Sequence, residues 1–254
     1  MPVTIIRVLK GIAMGALFGF FLLGILFVLL IMLPILLLLD RTLGPNPCRM
    51  QAVIRLLIRL WLFLLRGCGL LSAKAGQGKP MDEACVIVAN HPGLFDILFL
   101  IRDIPRLSIM VKRTLATKLP LGPIFRSAGY ILSPDFEQRG PLDCLEEARA
   151  LIRQGYKFMI FPEGTRSPKG RLGKFHAGAF LLARLSKVPV QPLLFTNTPP
   201  FLPKRDRWYF PPFQVSRLTI DYWEPLDSPS SWQERESARN LEDRYKKALG
   251  LAEK

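Results

Sequence analysis

Histidine is the scarcest reactive residue in this chain: 254 positions hold two, His91 and His176. Four cysteines, Cys48, Cys68, Cys85 and Cys144, are scattered without the paired spacing of a disulfide framework or a metal site. Two distant histidines do not complete a zinc set either, so no metal is expected. Unpaired cysteines fit a reduced domain facing the cytoplasm. Acid is also short, with 20 Asp and Glu against 35 Lys and Arg, for a net charge of +15. Residues 1–72 carry +6 of it, residues 73–225 carry +9, and residues 226–254 are balanced. A basic surface suits anionic lipid headgroups and phosphorylated ligands. Nucleic acid competes for such charge, but no zinc finger or aromatic RNA-binding signature accompanies it, so none is expected as a partner.

Charge is missing altogether from residues 11–39. A bilayer core needs about 20 apolar helical residues, so this run is long enough to enter a membrane. It is too long for the apolar core of a cleaved signal peptide, and no small-x-small cleavage site is evident at its carboxyl end before Asp40. An uncleaved anchor is expected, helical over residues 3–39, with Gly24 and Pro34 as places to bend. Arg7, Lys10, Arg41 and Arg49 flank it on both sides, which suits a re-entrant pair of helices or a single span. After a turn rich in proline and glycine (residues 40–47), residues 51–66 read as a second helix. Its Arg55, Arg59 and Arg66 and its apolar Leu, Ile, Trp61 and Phe63 suit a helix at headgroup level or packed on the first.

Residues 72–79 read as a polar linker, and the pattern then turns to that of an α/β domain. Apolar strand-like runs fall at 84–89, 107–111, 130–132, 157–161, 190–195 and 217–222. Helical candidates lie between them at 94–102, 113–128 (interrupted by Pro120 and Pro123), 142–154 and 177–187. Such alternation predicts an α/β fold: a mostly parallel sheet flanked by helices and preceded by a membrane helical segment. Residues 198–213 read as a long irregular connection. Ser231 and Glu234 form a capping-box pattern ahead of Leu241, Tyr245 and Leu249 at helical spacing, which predicts a terminal amphipathic helix. The expected division is 1–72 for the membrane helices, 73–225 for the catalytic domain and 226–254 for the terminal helix.

Two constellations carry chemistry, each just after a predicted strand, where ligands sit in open α/β sheets. The first is Asn90-His91-Pro92-Gly93-Leu94-Phe95-Asp96. A Pro-Gly turn lets the carboxylate hold one imidazole nitrogen and leaves the other free to take a proton. By itself, a histidine near an aspartate is more often structural. The second is Phe161-Pro162-Glu163-Gly164-Thr165-Arg166-Ser167. Gly164 allows a sharp turn and Arg166 offers a planar fork for phosphate, with Lys169, Arg171 and Lys174 adding charge beyond. A salt bridge from Arg166 to Glu163 or another acid is the bland alternative.

Together, H-x4-D and F-P-E-G-T-R, some 70 residues apart, resemble the glycerolipid acyltransferase family typified by 1-acylglycerol-3-phosphate acyltransferases, in its bacterial branch. The resemblance runs over residues 84–225 and takes in Val188-Pro189-Val190-Gln191-Pro192. It implies acyl transfer without a covalent enzyme intermediate and without a cofactor, from acyl-CoA or acyl carrier protein. His91 would be the general base and Asp96 its partner. Glu163, Gly164, Thr165 and Arg166 would position the acceptor, lysophosphatidate by default. It also implies membrane lipids as partners and a bacterial inner membrane with the catalytic domain on the cytoplasmic side. Two departures stand out. Gly93 replaces a frequent serine. The run Gly129-Tyr130-Ile131-Leu132 leads into Ser133-Pro134-Asp135 rather than an arginine, with none until Arg139; Lys112, Arg113 or Arg126 are the candidate substitutes. Asn90-His91-Pro92, the Gly129-Tyr130-Ile131 run and Trp208-Tyr209 together resemble a bacterial branch near aryl-polyene and related lipid pathways, which would take a different lipid alcohol. A silent membrane adaptor is the alternative from another class.

Overall fold

The computed structural model describes the chain except residues 1, 94, 119–120, 135–139, 169–170, 200, 203–210, 228–232 and 252–254. The uncharged run forms helix α1 (Pro2–Phe27), a wider π turn (Val28–Met32) and α2 (Leu33–Leu43). The wide turn falls just before Pro34, whose ring nitrogen cannot donate to the preceding turn. The helix therefore widens ahead of the proline and continues past it. Helix α3 (Pro47–Gly67) starts on Asn46, whose side chain accepts the Cys48 N–H at 3.0 Å, with Pro47 in the first turn.

Helix α3 runs back along α1. The Trp61 indole donates to the Leu17 carbonyl at 3.0 Å, and Lys10 Nζ donates to the Gly69 and Phe213 carbonyls at 3.0 and 2.7 Å. Residues 5–43 are long and apolar enough to cross a membrane, and only 11% of their most apolar window is buried in the protein. Leu22, Leu23, Leu30 and Leu38 of this segment and Leu56 and Phe63 of α3 are exposed. A core helix would have covered such side chains.

Strand β1 (Leu71–Ala75) follows, overlapping the first half of the segment 72–79 expected to be a polar linker. The expectation fails because a sheet-edge strand needs few apolar side chains: Leu71 is buried, whereas Lys74 and Ala75 are exposed. Then come β2 (Val86–Ala89), α4 (Asp96–Asp103), β3 (Leu107–Val111), α5 (Arg113–Lys118), α6 (Gly122–Ser127) and β4 (Ile131–Leu132). The chain continues through α7 (Pro141–Arg153), β5 (Lys157–Ile160), α8 (Gly178–Ser186), β6 (Val190–Thr198), β7 (Ser216–Tyr222) and α9 (Glu234–Ala248). The six expected strands and the helices between them are all present within a few residues. Helix α9 begins at Glu234 with no side-chain cap from Gln233. Ser231 of the expected capping box lies outside the described residues, as do Leu94, Pro120, Asp135, Arg139, Lys169, Trp208 and Tyr209.

The sheet order is β1-β7-β6-β2-β5-β3-β4, and every neighbouring pair is parallel except β6–β7. Alternation along β2 feeds two cores. Ile87 and Ala89 pack with α1, α3, α4 and α6, while Val86 and Val88 pack with α7, α8 and α9. From β2 the chain leaves through α4 toward β3, whereas from β5 it leaves through α8 toward β6. Adjacent strands whose connections depart in opposite directions open a crevice at their carboxyl ends. Those ends carry His91 and Phe161–Arg166.

Candidate active site

The His91 side chain is 17% exposed, and its Nδ1 lies 3.3 Å from Asp96 Oδ2. Asp96, almost fully buried in the first turn of α4, also accepts the Gly93 N–H at 2.5 Å. The Pro-Gly turn thus folds the carboxylate back onto the ring. Gly93 is required for this: a Cβ there would stand 2.9 Å from both Asp96 Oδ1 and the Phe201 carbonyl oxygen. The serine expected from the resemblance does not fit this turn without a shift. The imidazole stacks on Phe161, with centroids 3.9 Å apart and planes 13° from parallel. With one ring nitrogen toward Asp96 and one face covered, the ring can accept a proton at Nε2.

Glu163 was expected to position the acceptor, yet both of its oxygens face protein donors. Oε1 accepts the His91 N–H at 3.0 Å and the Ser167 hydroxyl at 2.7 Å, and Oε2 accepts the Gly173 N–H at 2.7 Å. Ser167 N–H closes the circuit on the His91 carbonyl at 2.8 Å. Glu163 is 6% exposed, and a buried carboxylate is tolerated when its lone pairs are filled. It therefore ties the two constellations together. Gly173 permits this, since a Cβ there would meet Glu163 Oε2 at 2.7 Å.

Gly164 turns the chain with φ +64° and donates to the Phe161 carbonyl at 3.0 Å. Thr165 and Arg166 are half-buried on this turn. Arg166 makes no ion pair among the described residues; its Nη1 reaches only the Leu202 carbonyl, at 3.4 Å. The guanidinium is held loosely, at the edge where β2, β5 and β6 end. Lys112 and Arg113 follow β3, which is separated from β2 by β5 alone, so they stand on the same edge. Arg113 N–H donates to Ser133 Oγ at 3.1 Å. Arg126 lies in the last turn of α6, and its guanidinium reaches back along the helix, with Nη1 3.5 Å from where a Cβ on Gly122 would stand, beside the Ala116 carbonyl of α5. His176 is exposed, and its backbone N–H donates to the Pro162 carbonyl at 2.9 Å.

Several supporting residues have no sequence signature that the motifs alone reveal. The Asn90 amide pairs with both backbone groups of Phe195, at 2.9 and 2.8 Å. Phe95 lies between Trp61 and Phe201, with centroids 4.7 and 5.6 Å away, so the loop rests on the helix pair α1–α3. The hydrophobic residue inside H-x4-D was the available signal. Cys85, next to β2, is fully buried; burial pushes its thiol up to about 12, and nearby Lys157 pulls back only partly. It stays a neutral thiol rather than a nucleophile. Among the described residues no group of His, Cys, Asp and Glu could hold a metal ion.

Residues 73–196 match the family model described as Acyltransferase. A chloroplastic 1-acyl-sn-glycerol-3-phosphate acyltransferase of Brassica napus is 33% identical over 122 residues, covering 48% of this chain and 36% of its own length. The human 1-acyl-sn-glycerol-3-phosphate acyltransferase beta is 28% identical over 135 residues, covering 52% of this chain and 49% of its own. The matched stretch thus spans less than half the length of these relatives. Among solved structures, that of the 1-acyl-sn-glycerophosphate acyltransferase PlsC from Thermotoga maritima superposes with a TM-score of 0.70. It is 20% identical and covers 98% of this chain and 96% of that one, a likeness of fold.

Proposed function

Because residues 73–196 belong to the Acyltransferase family, we propose that this protein transfers a fatty acyl group from a thioester to the hydroxyl of a lysophospholipid in phospholipid biosynthesis. The default acceptor is 1-acylglycerol-3-phosphate, which the names of the relatives carry. The observation that supports the reading best is the His91–Asp96 pair at the crevice where β2 and β5 end, with its ring stacked on Phe161. His91 Nε2 takes the acceptor's hydroxyl proton as that oxygen attacks the thioester carbonyl. The C–S bond then breaks, and the imidazolium returns the proton to the leaving thiolate. Asp96 stabilises the imidazolium in between. Arg166, loosely held at the same edge, offers its fork to the acceptor's phosphate. The donor is acyl-CoA or acyl carrier protein, and the apolar α1–α2 segment seats the protein in a membrane, with the α/β domain on the cytoplasmic side of a bacterial inner membrane.

A second acceptor class is favoured by one observation. Ser133, where the resemblance implies a phosphate-gripping arginine nearby, is bonded instead to the Arg113 backbone. A lipid alcohol without that phosphate fits this reading. The test is thioester consumption by purified protein in detergent or vesicles, offered both donors and acceptors with and without phosphate. His91→Ala is expected to lose about 10²–10⁴ in rate. His176→Ala is the control and is expected to keep near-normal turnover, since its side chain lies outside the pair. Normal turnover by His91→Ala sinks the mechanism.

A further inference from the structure

The terminal helix α9 carries no part of either motif, yet it reaches the strand that presents His91. The Val86 N–H donates to the Pro189 carbonyl at 3.0 Å, which sets the phase of the β2–β6 ladder. Continued along the register, that phase turns Leu193 N–H and the Val88 carbonyl toward each other as a later rung. The Tyr245 hydroxyl sits at that rung. It accepts Leu193 N–H at 2.9 Å and lies 3.0 and 2.8 Å from the carbonyls of Val88 and Leu193, which share its proton. Tyr245 is 0% exposed, and burial raises its phenol, so it remains a donor. Two residues further along β2, Asn90 holds both backbone groups of Phe195. Side chains thus bridge the last rungs of the ladder, immediately before His91.

The same helix supports the second constellation. Glu242 accepts the Phe175 N–H at 2.8 Å, and Phe175 packs edge-on against the Tyr245 ring at 5.2 Å. Two residues before Phe175, Gly173 donates to Glu163. One turn of α9 therefore braces the strand end bearing His91 and the segment that fixes Glu163.

Resting on the acyl-transfer reading, we infer that Tyr245 is a positioning residue for His91, acting through the β2–β6 rung. Tyr245→Phe keeps the ring and removes only the hydroxyl. The expected result is a kcat lowered about tenfold with Michaelis constants for donor and acceptor held within about twofold, because small misplacements of a reacting group act on the chemical step. Ala238→Gly is the control: it loosens α9 from a buried position away from the rung. Both variants are compared with wild type well below their melting temperatures. Glu242→Gln should give a smaller kcat loss of the same kind. An undiminished kcat in Tyr245→Phe, or an equal loss in Ala238→Gly at matched melting temperature, overturns the inference alone. A wild-type protein that consumes no thioester with any acceptor overturns the acyl-transfer reading, and this inference with it.

Discussion

The two loops at the crevice are built differently. The His91 loop is overdetermined: its imidazole meets Asp96 and the Phe161 face, its backbone N–H meets Glu163, and its carbonyl meets Ser167. The Arg166 loop ends in a guanidinium whose one hydrogen bond among the described residues is long, to the Leu202 carbonyl at 3.4 Å. Proton transfer rewards a fixed geometry, since distance and tautomer must be right when the bond forms. Recognition of a phosphate rewards a fork that adjusts to its ligand. On the proposed function, the first loop governs kcat and the second governs acceptor binding.

The largest expected effect strikes the rigid side. Asp96→Asn should lower kcat by about 10²–10⁴, because an amide does not stabilise a protonated ring. Single-turnover rates under saturating substrate check it, and a loss confined to KM breaks the contrast. Glu163→Gln comes next. Its amide nitrogen must face the Gly173 N–H or the His91 and Ser167 donors, leaving buried donors unpaired at a cost of about 1–3 kcal/mol. Thermal melting should register that loss together with a fall in kcat. Gly173→Ala attacks the same carboxylate from the other side and should lower both in parallel; full stability and turnover would show that Glu163 has room to move.

The adjustable side should answer in KM. Arg166→Lys keeps charge but loses the fork, and an acceptor KM raised by about five- to thirtyfold is expected, equivalent to roughly 1–2 kcal/mol. The donor KM should barely change, and unchanged kinetics would make Arg166 structural. A smaller effect is expected from Trp61→Phe, which removes the indole bond to Leu17 but keeps an aromatic against Phe95. It should cost about 1 kcal/mol of stability, read as a lowered melting temperature, with kcat held. The smallest is none at all. Alkylation near pH 8 should label exposed Cys68 and spare Cys85, whose thiol burial holds up to about 12, and turnover should survive. Inactivation that tracks Cys85 labelling would bring thiol chemistry back.

Much of this molecule is legible in one dimension because its signals are local. An uncharged run of apolar residues makes α1 and α2 wherever they pack, since backbone groups in apolar surroundings must bond within the helix. Short apolar runs between helical stretches announce the parallel strands. Strand β1 escaped because an edge strand is held by hydrogen bonds to β7, which do not depend on apolar side chains. The H-x4-D pair was readable for the same reason of locality: five residues and a Pro-Gly turn close it.

What the chain order does not reveal depends on partners far away in sequence. Residues 72 positions apart join Glu163 to the His91 backbone, and residues 157 positions apart join Tyr245 to Val88. Glu163 therefore reads as a ligand residue in its motif and becomes a brace in the fold. Arg126 is likewise decided by the fold: α6 feeds the start of β4, while the guanidinium turns back toward Gly122 at the other end of that helix. The residue types alone determined the long apolar helix, the α/β class and the histidine–aspartate pair, through periodicity and short-range geometry. Only the packed sheet decided which buried polar groups would be satisfied by one another, because a buried carboxylate or hydroxyl must find its donors wherever folding places them.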